Sequence, residues 1–400
     1  MSPITLKMSL NIRYTFFATA FLALTALASC SNNDEPDPQP ATTPTTVLVY
    51  MVADNSLGAE YFRSDEGNLD QMRTAVINGA LKDGGRILVY HDGSDSEPSL
   101  FEITPAGDKE IAAYSNDMSS LTVERMRQVI TDARAVAPAE QYGLVLWSHG
   151  TGWIETSTSR SATEATGQSF GQDKHPVVTE MKVSSLAEAL RPFEHRYIYF
   201  DCCFMATVEV CYELRECAPT IIAYATEIPV EGMPYATNTE NLAAADFDPV
   251  KTASTTMEYY VSDKASNNSC AIAVVDTKGL EELAAATREI MSTGAVAEST
   301  YSPVPFFRNS GPRSYTYDMA DYVRNLPVSQ SMIDRWNAAY SAVVIHSAST
   351  PQSYGLNMSK YSGLGCYIVR TPEDASRYGY RNQAWWNDVV SYNPTVTTTL

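Results

Sequence analysis

The chain has 400 residues, enough for one large or two ordinary domains with ample core. Hydrophobic residues make up 44% and charged residues 19%, the balance of a globular protein and not of a disordered one. The formal net charge of −19 argues against a nucleic-acid partner, because a phosphate backbone calls for a basic face; it fits plain solubility, or an attraction for basic peptides.

Residues 1–29 read as a targeting segment. Lys7 and Arg13 supply a positive end, and Tyr14 to Ala28 an apolar run too short for a comfortable membrane span. Leu27-Ala28-Ser29-Cys30 then resembles a bacterial lipoprotein signal, which would make Cys30 the lipid-bearing first residue of the mature chain. The alternative is an ordinary secretory signal with a chance cysteine. Residues 30–45 read as a tether of Asn, Asp, Glu, Pro, Gln and Thr, none of which builds a core. Asp34-Glu35-Pro36-Asp37 is similar to surface-export signals of some lipoproteins and equally to plain linker. The expected location is the outer membrane of a bacterium, on its periplasmic or cell-surface side, with attachment through lipid on Cys30.

The globular part is expected from about Thr46, with a core over 46–276 and a small C-terminal extension over 277–400. Val47 to Val52 read as a strand, Leu69 to Leu81 as a helix and Arg86 to Tyr90 as a second strand ending in His91-Asp92-Gly93. Phe101 to Ile103 and Glu110 to Tyr114 fit a small hairpin, and Thr122 to Ala137 a helix. Strands alternating with helices argue for a parallel α/β sheet.

Leu144-Val145-Leu146-Trp147 is another buried strand, and it ends in Ser148-His149-Gly150-Thr151-Gly152. A histidine at a strand end, followed by glycines, is positioned to face a cleft with backbone amides free to approach a ligand. His91 is a rival, but no Gly-x-Gly follows it, and a structural or surface role is expected there. Glu155 to Ser169 form a long polar loop, and such loops in compact domains tend to be functional or mobile. Leu186 to Phe193 complete a helix.

Tyr197-Ile198-Tyr199-Phe200 is an apolar strand that runs into Asp201-Cys202-Cys203-Phe204-Met205. Met205, Val208, Cys211 and Tyr212 keep a helical rhythm, so a cysteine is expected where the strand hands over to a helix, with the helix dipole favouring thiolate. The plainer reading is that Cys202 and Cys203 are small core residues. If this strand neighbours the one ending at Ser148, His149 and one cysteine face each other across the sheet edge, as nucleophilic acyl transfer requires. Beyond them, Ile221 to Tyr224 and Cys270 to Val275 read as strands, Thr255 to Ser262 as a helix end and Leu280 to Met291 as a helix. Gly365 to Val369 read as a late strand, and Trp385-Trp386 as core residues of a closing helix.

Of seven cysteines, six remain if Cys30 is lipidated: Cys202, Cys203, Cys211, Cys217, Cys270 and Cys366. Their crowding into one segment does not resemble a disulfide framework, and no ligand spacing for zinc is present. Cys211 and Cys217 are expected to pack in or after the helix that follows Cys203.

Ser148-His149-Gly150-Thr151-Gly152-Trp153, with Asp201-Cys202-Cys203-Phe204-Met205 some fifty residues on, resembles the clostripain family of cysteine peptidases. That family shares the caspase-like fold, an α/β/α sandwich around a mostly parallel sheet. Its nucleophile segment usually reads Asp-Ala-Cys-Leu-Met. Glu209 and Tyr212-Glu213-Leu214 match the residues that follow. Further similar blocks are Tyr50 to Leu57, Thr226-Glu227 with Pro229, Gly232 and Tyr235, Tyr317 to Tyr322, and Gly363 to Tyr367.

The resemblance implies a Cys-His dyad that cleaves after Arg or Lys through a thioacyl-enzyme. Its register makes Cys203 the nucleophile, and Cys202 stands at the family's small residue. Cys202 as nucleophile, or as a site of interfering oxidation, stays open. His149 would manage protons, and the amides of Gly150 and Cys203 would hold the oxyanion. Asp201 is either a helix cap or, as the resemblance implies, the acid of a pocket for a basic side chain. Glu231 is a second candidate pocket acid and Glu227 a weaker third. Some members cut themselves after the histidine, which singles out Arg160 and Lys174; an uncut loop is the alternative. Calcium is allowed by the resemblance, but no spacing indicates it, and no cofactor is expected. The competing function is a surface lipoprotein that keeps the fold to bind peptide or glycan without cutting it.

Overall fold

The computed structural model describes residues 41–59, 62–94, 96–155, 169–306 and 315–397. The signal segment, Cys30 and Arg160 lie outside them. The described residues belong to one compact unit.

Fifteen strands are formed among the described residues: β1 (Thr43–Val52), β2 (Arg86–Asp92), β3 (Ser99–Thr104), β4 (Gly107–Ala113), β5 (Ala139–Trp147), β6 (Phe170–Asp173), β7 (Thr179–Met181), β8 (Tyr197–Asp201), β9 (Thr220–Tyr224), β10 (Ala271–Asp276), β11 (Tyr317–Asp318), β12 (Val344–Ser349), β13 (Gln352–Ser353), β14 (Leu356–Asn357) and β15 (Gly365–Cys366). Nine join one sheet in the order β12-β10-β9-β8-β5-β1-β2-β3-β4. The five central strands, β9-β8-β5-β1-β2, run parallel. Antiparallel strands extend both edges: β3 and β4 on one side, β10 and β12 on the other. The central strands are continuous apolar runs because both of their faces are covered; every residue from Val47 to Val52 is buried.

Alternate residues feed two cores. Val47, Val49, Met51, Val145, Trp147, Tyr197 and Tyr199 point to one face. Helices α1 (Ser64–Ile77), α5 (Tyr235–Ala243) and α6 (Pro249–Val261) cover it. Leu48, Tyr50, Val52, Leu144, Leu146, Ile198 and Phe200 point to the other. There α2 (Val123–Val136), α3 (Val183–Leu190), α4 (Val208–Glu213), α7 (Leu280–Met291), α8 (Met319–Val323) and α9 (Gln330–Val343) pack. The result is the expected α/β/α sandwich.

Several expectations are corrected. The tether gives way to structure earlier than residue 45, since β1 begins at Thr43, whose amide donates to the Pro138 carbonyl at 3.0 Å. Residues 277–400 pack on the core: β12 extends the main sheet, and α7 and α9 cover one of its faces. Gly365 to Val369 do not form a full strand; only Gly365 and Cys366 pair, with Tyr317 and Asp318. The helix after the cysteines starts later than the apolar rhythm implies. Thr207 caps it, its side chain accepting from the Val210 amide, so the regular helix begins at Val208. Among the described residues no helix is long and apolar enough to cross a membrane.

Candidate active site

The carboxyl ends of β5 and β8 lie side by side, in register from Gly143↔Tyr197 to Trp147↔Asp201. His149 and Cys203 each come two residues after that last pair, just where the chain leaves the sheet. Together with Gly150, Asp201, Cys202, Glu227, Ile228 and Tyr354 they line one cavity of about 290 Å³.

Between Asp201 and α4 the chain turns sharply. Phe204 takes φ +62°, a left-handed conformation that a β-carbon disfavours. The turn is pinned to β9 and its loop: the Phe204 amide donates to the Thr226 carbonyl at 3.1 Å, and the Ala206 amide to the Tyr224 carbonyl at 2.9 Å. Cys203 therefore sits on a pinned turn before the helix and not at the helix N-terminus. The dipole argument for a thiolate does not hold there. Instead, burial pushes the Cys203 thiol up to about 12. The Ile228 amide, donating to Sγ at 3.4 Å, works against that rise.

The two sulfurs differ in setting. Cys202 is 1% exposed and packs in the core with Phe200 and Met205. Its thiol is pushed well up, by burial first. Cys203 is half-buried. Gly150 fits closely beneath them: a β-carbon there would lie 2.5 Å from the Cys203 carbonyl oxygen and 3.1 Å from the Cys202 sulfur. Among the described residues, the amides of Gly150 and Cys203 donate to no protein acceptor.

His149 is half-buried, and desolvation lowers its pKa, so the ring is neutral near pH 7. Its Nε2 lies 2.8 Å from Ser56 Oγ, which leaves Nδ1 as the ring nitrogen without that partner. Ser56 follows a buried anchor: Asn55 Nδ2 donates to the carbonyls of Val52 at 2.8 Å and Gln172 at 2.9 Å. Sequence reasoning missed Ser56, although it lies in the turn after β1, next to β5 in the sheet. Tyr354 was also missed, and no sequence signal pointed to it.

Asp201 is buried, 4% exposed, and caps no helix. Its Oδ1 accepts from the Met233 amide at 2.9 Å and its Oδ2 from the Tyr235 hydroxyl at 3.0 Å. Gly232 closes over it at φ +63°, and a β-carbon there would meet Oδ2 at 2.8 Å. Burial raises the carboxyl to about 7 against the lowering effect of both donors. The order of the other acids is reversed. Glu227 lines the cavity, whereas Glu231 is not among its lining residues. The Glu231 Oε1 accepts from the Ser266 amide at 3.0 Å, and its buried Oε2 has no partner among the described residues.

His91 lies outside the cavity, its Nε2 2.8 Å from Asp65 Oδ2. Lys174 follows β6, its backbone amide 3.2 Å from Asp54 Oδ2. Cys202, Cys203, Cys211, Cys217, Cys270 and Cys366 are all free thiols. No group of three or more His, Cys, Asp or Glu side chains among the described residues is arranged to hold a metal ion, and no step below uses one.

A model of the clostripain family matches residues 49–378. An inactive zymogen C11 protease from Parabacteroides distasonis is 28% identical, with 88% of this chain and 99% of that one covered and a TM-score of 0.74. A secreted C11 cysteine protease from Bacteroides thetaiotaomicron, solved with an irreversible peptide inhibitor, is 26% identical, with 86% and 99% covered and a TM-score of 0.73. Another secreted C11 cysteine protease from Bacteroides thetaiotaomicron, at 21% identity and a TM-score of 0.74 over 87% of this chain and 100% of that one, is a likeness of fold. No curated protein sequence matches the chain.

Proposed function

The chain belongs to the clostripain family of cysteine peptidases, and from that premise we propose that it cleaves peptide bonds after arginine or lysine with Cys203 as nucleophile and His149 as acid and base. The observation that carries this reading is the shared cavity, where a half-buried thiol, a neutral imidazole and a buried carboxylate meet.

We assign the ring proton to Nε2, 2.8 Å from Ser56 Oγ, so that the lone pair of Nδ1 takes the thiol proton as Sγ attacks the scissile carbonyl carbon. A thiol held near pKa 12 gives little thiolate at rest, so removal of the proton during attack is needed. The oxygen of the tetrahedral intermediate becomes negative, and the free amides of Gly150 and Cys203 are available to it. The C–N bond then breaks and His149 returns its proton to the leaving amine. A water, deprotonated by the same nitrogen, releases the acid from the thioester.

Asp201 is the proposed partner of the basic side chain. In the empty site it is held near neutrality; an incoming guanidinium or ammonium favours its charged form and gains a charge-assisted hydrogen bond. Glu227 adds negative charge, and Glu231 stands behind the lining as a further acid. Self-cleavage at Arg160 or Lys174, and attachment to an outer membrane through lipid on Cys30, belong to the same proposal.

Release of dye from Arg- and Lys-terminated reporter peptides, blocked by a thiol reagent, tests the reading. Intact-mass measurement of the wild type and Cys203→Ala reads self-cleavage in the same samples. No hydrolysis by fully processed protein would favour a binding role for the cavity.

A further inference from the structure

One wall of the cavity comes from far along the chain. Tyr354 lines it beside Cys203, His149 and Glu227. It occupies the two-residue turn between β13 and β14, with Gly355 as the other turn residue. Both have positive φ, +46° and +79°. Such turns suit glycine and asparagine, whereas the β-carbon of tyrosine is crowded there. A tyrosine at this position is therefore a poor choice for the turn itself.

The turn is also held firmly. The Tyr354 amide donates to Ser269 Oγ at 3.1 Å. Ser353 Oγ is 2.8 Å from Thr226 Oγ1, in the loop that also pins Phe204. Thr350 Oγ1 accepts from the Cys270 amide at 3.1 Å and donates to the Gln352 carbonyl at 2.6 Å. A strained aromatic residue, 37% exposed, is thus fixed over the catalytic cavity by bonds to the residues just before β10 and to the loop after β9.

The charged groups around that ring are acids. Asp201 and Glu227 line the cavity, and no lysine or arginine does so among the described residues. Glu227 and Glu231 both lie near enough to Tyr354 to oppose ionisation of its phenol. A ring that lines a cavity together with carboxylates suits a planar cation. Guanidinium can stack on the ring while a carboxylate takes its paired N–H groups; an ammonium is a compact, strongly hydrated charge that gains less from stacking.

We infer that Tyr354 is a specificity-determining residue, its ring the stacking wall for the side chain before the scissile bond, which favours arginine over lysine. The inference rests on the basic-residue reading given above. The test is steady-state kinetics on matched Arg and Lys reporters with processed wild type, Tyr354→Phe and Tyr354→Asn. Asparagine suits the turn, so the second variant removes the ring without burdening the fold. Phenylalanine should keep the Arg-to-Lys ratio of kcat/KM, and asparagine should lower it by roughly tenfold, mostly through KM for arginine. An unchanged ratio in Tyr354→Asn overturns the role of Tyr354 and leaves the basic-residue reading standing. A wild type that cleaves other reporters but neither basic one overturns both.

Discussion

His149 Nε2 lies 2.8 Å from Ser56 Oγ, so the His149 ring is oriented from the turn after β1, on the far side of β5 from Cys203. Ser56→Ala removes one hydrogen bond to the imidazole. It should lower kcat by roughly 3- to 10-fold with little change in KM. The acid limb of the pH–rate profile should move as well, because the ring loses the partner that sets its tautomer. An unaltered profile with unaltered kcat would remove Ser56 from the site.

The two adjacent cysteines should separate cleanly by mutation. Cys203→Ala should lower turnover by at least about a thousandfold, as loss of a nucleophile does. Cys202→Ala, deep in the core and against Gly150, should keep turnover within about tenfold of wild type. The reverse outcome in reporter assays would exchange their roles.

Asp201→Asn keeps the size of the side chain and removes its charge. It should cut kcat/KM for basic reporters by roughly 10- to 100-fold, the range of a charge-assisted hydrogen bond. The loss should fall on KM. In the wild type, KM for basic reporters should rise as pH falls through about 7, because the neutral carboxyl offers the cation less. A parallel loss on a neutral reporter would instead mark Asp201 as an anchor for the loop at Met233 and Tyr235.

Stability should depend on pH in a stated direction. Burial raises Asp92, Glu180, Asp201 and Glu209 each to about 7. Between their ordinary values and about 7 the folded state holds protons that the unfolded state has lost, so these groups make stability fall as pH rises through that window. His149 and His195 are lowered, the latter to about 3, and act oppositely below about 6.5, where the unfolded chain takes up protons first. Thermal melts should therefore give a higher Tm at pH 6.5 than at pH 8. A Tm that climbs steadily from pH 6.5 to 8 would contradict this assignment.

The sheet and the site were legible in different degrees. Strands β1, β5 and β8 announce themselves as unbroken apolar runs because both of their faces are covered, and the polar residues at their ends mark the cleft. The rhythm of Met205, Val208, Cys211 and Tyr212 placed the helix too early, because burial of Met205 continues through an irregular turn held by β9. Strand β12 was missed because it is an edge strand whose residues are mostly half-buried, so Val344 to Ser349 show no apolar run. Tyr354 could not be read at all: its conformation runs against local preference and is held by its own bond to Ser269 and by that of Ser353 to Thr226. The ordering of Glu227 and Glu231 depended on which way a short loop turns, which neither residue type decides.

Cys203 should be the one sulfur that forms a covalent bond to a substrate bearing a basic side chain. The most direct measurement treats the processed protein with a peptidyl inhibitor that ends in arginine beside a thiol-reactive ketone, then maps the adduct by mass spectrometry. A single adduct on Cys203, absent in Cys203→Ala and slowed in Asp201→Asn, is the expected result. An adduct on Cys202 or on another cysteine, or none while reporter hydrolysis continues, would contradict it.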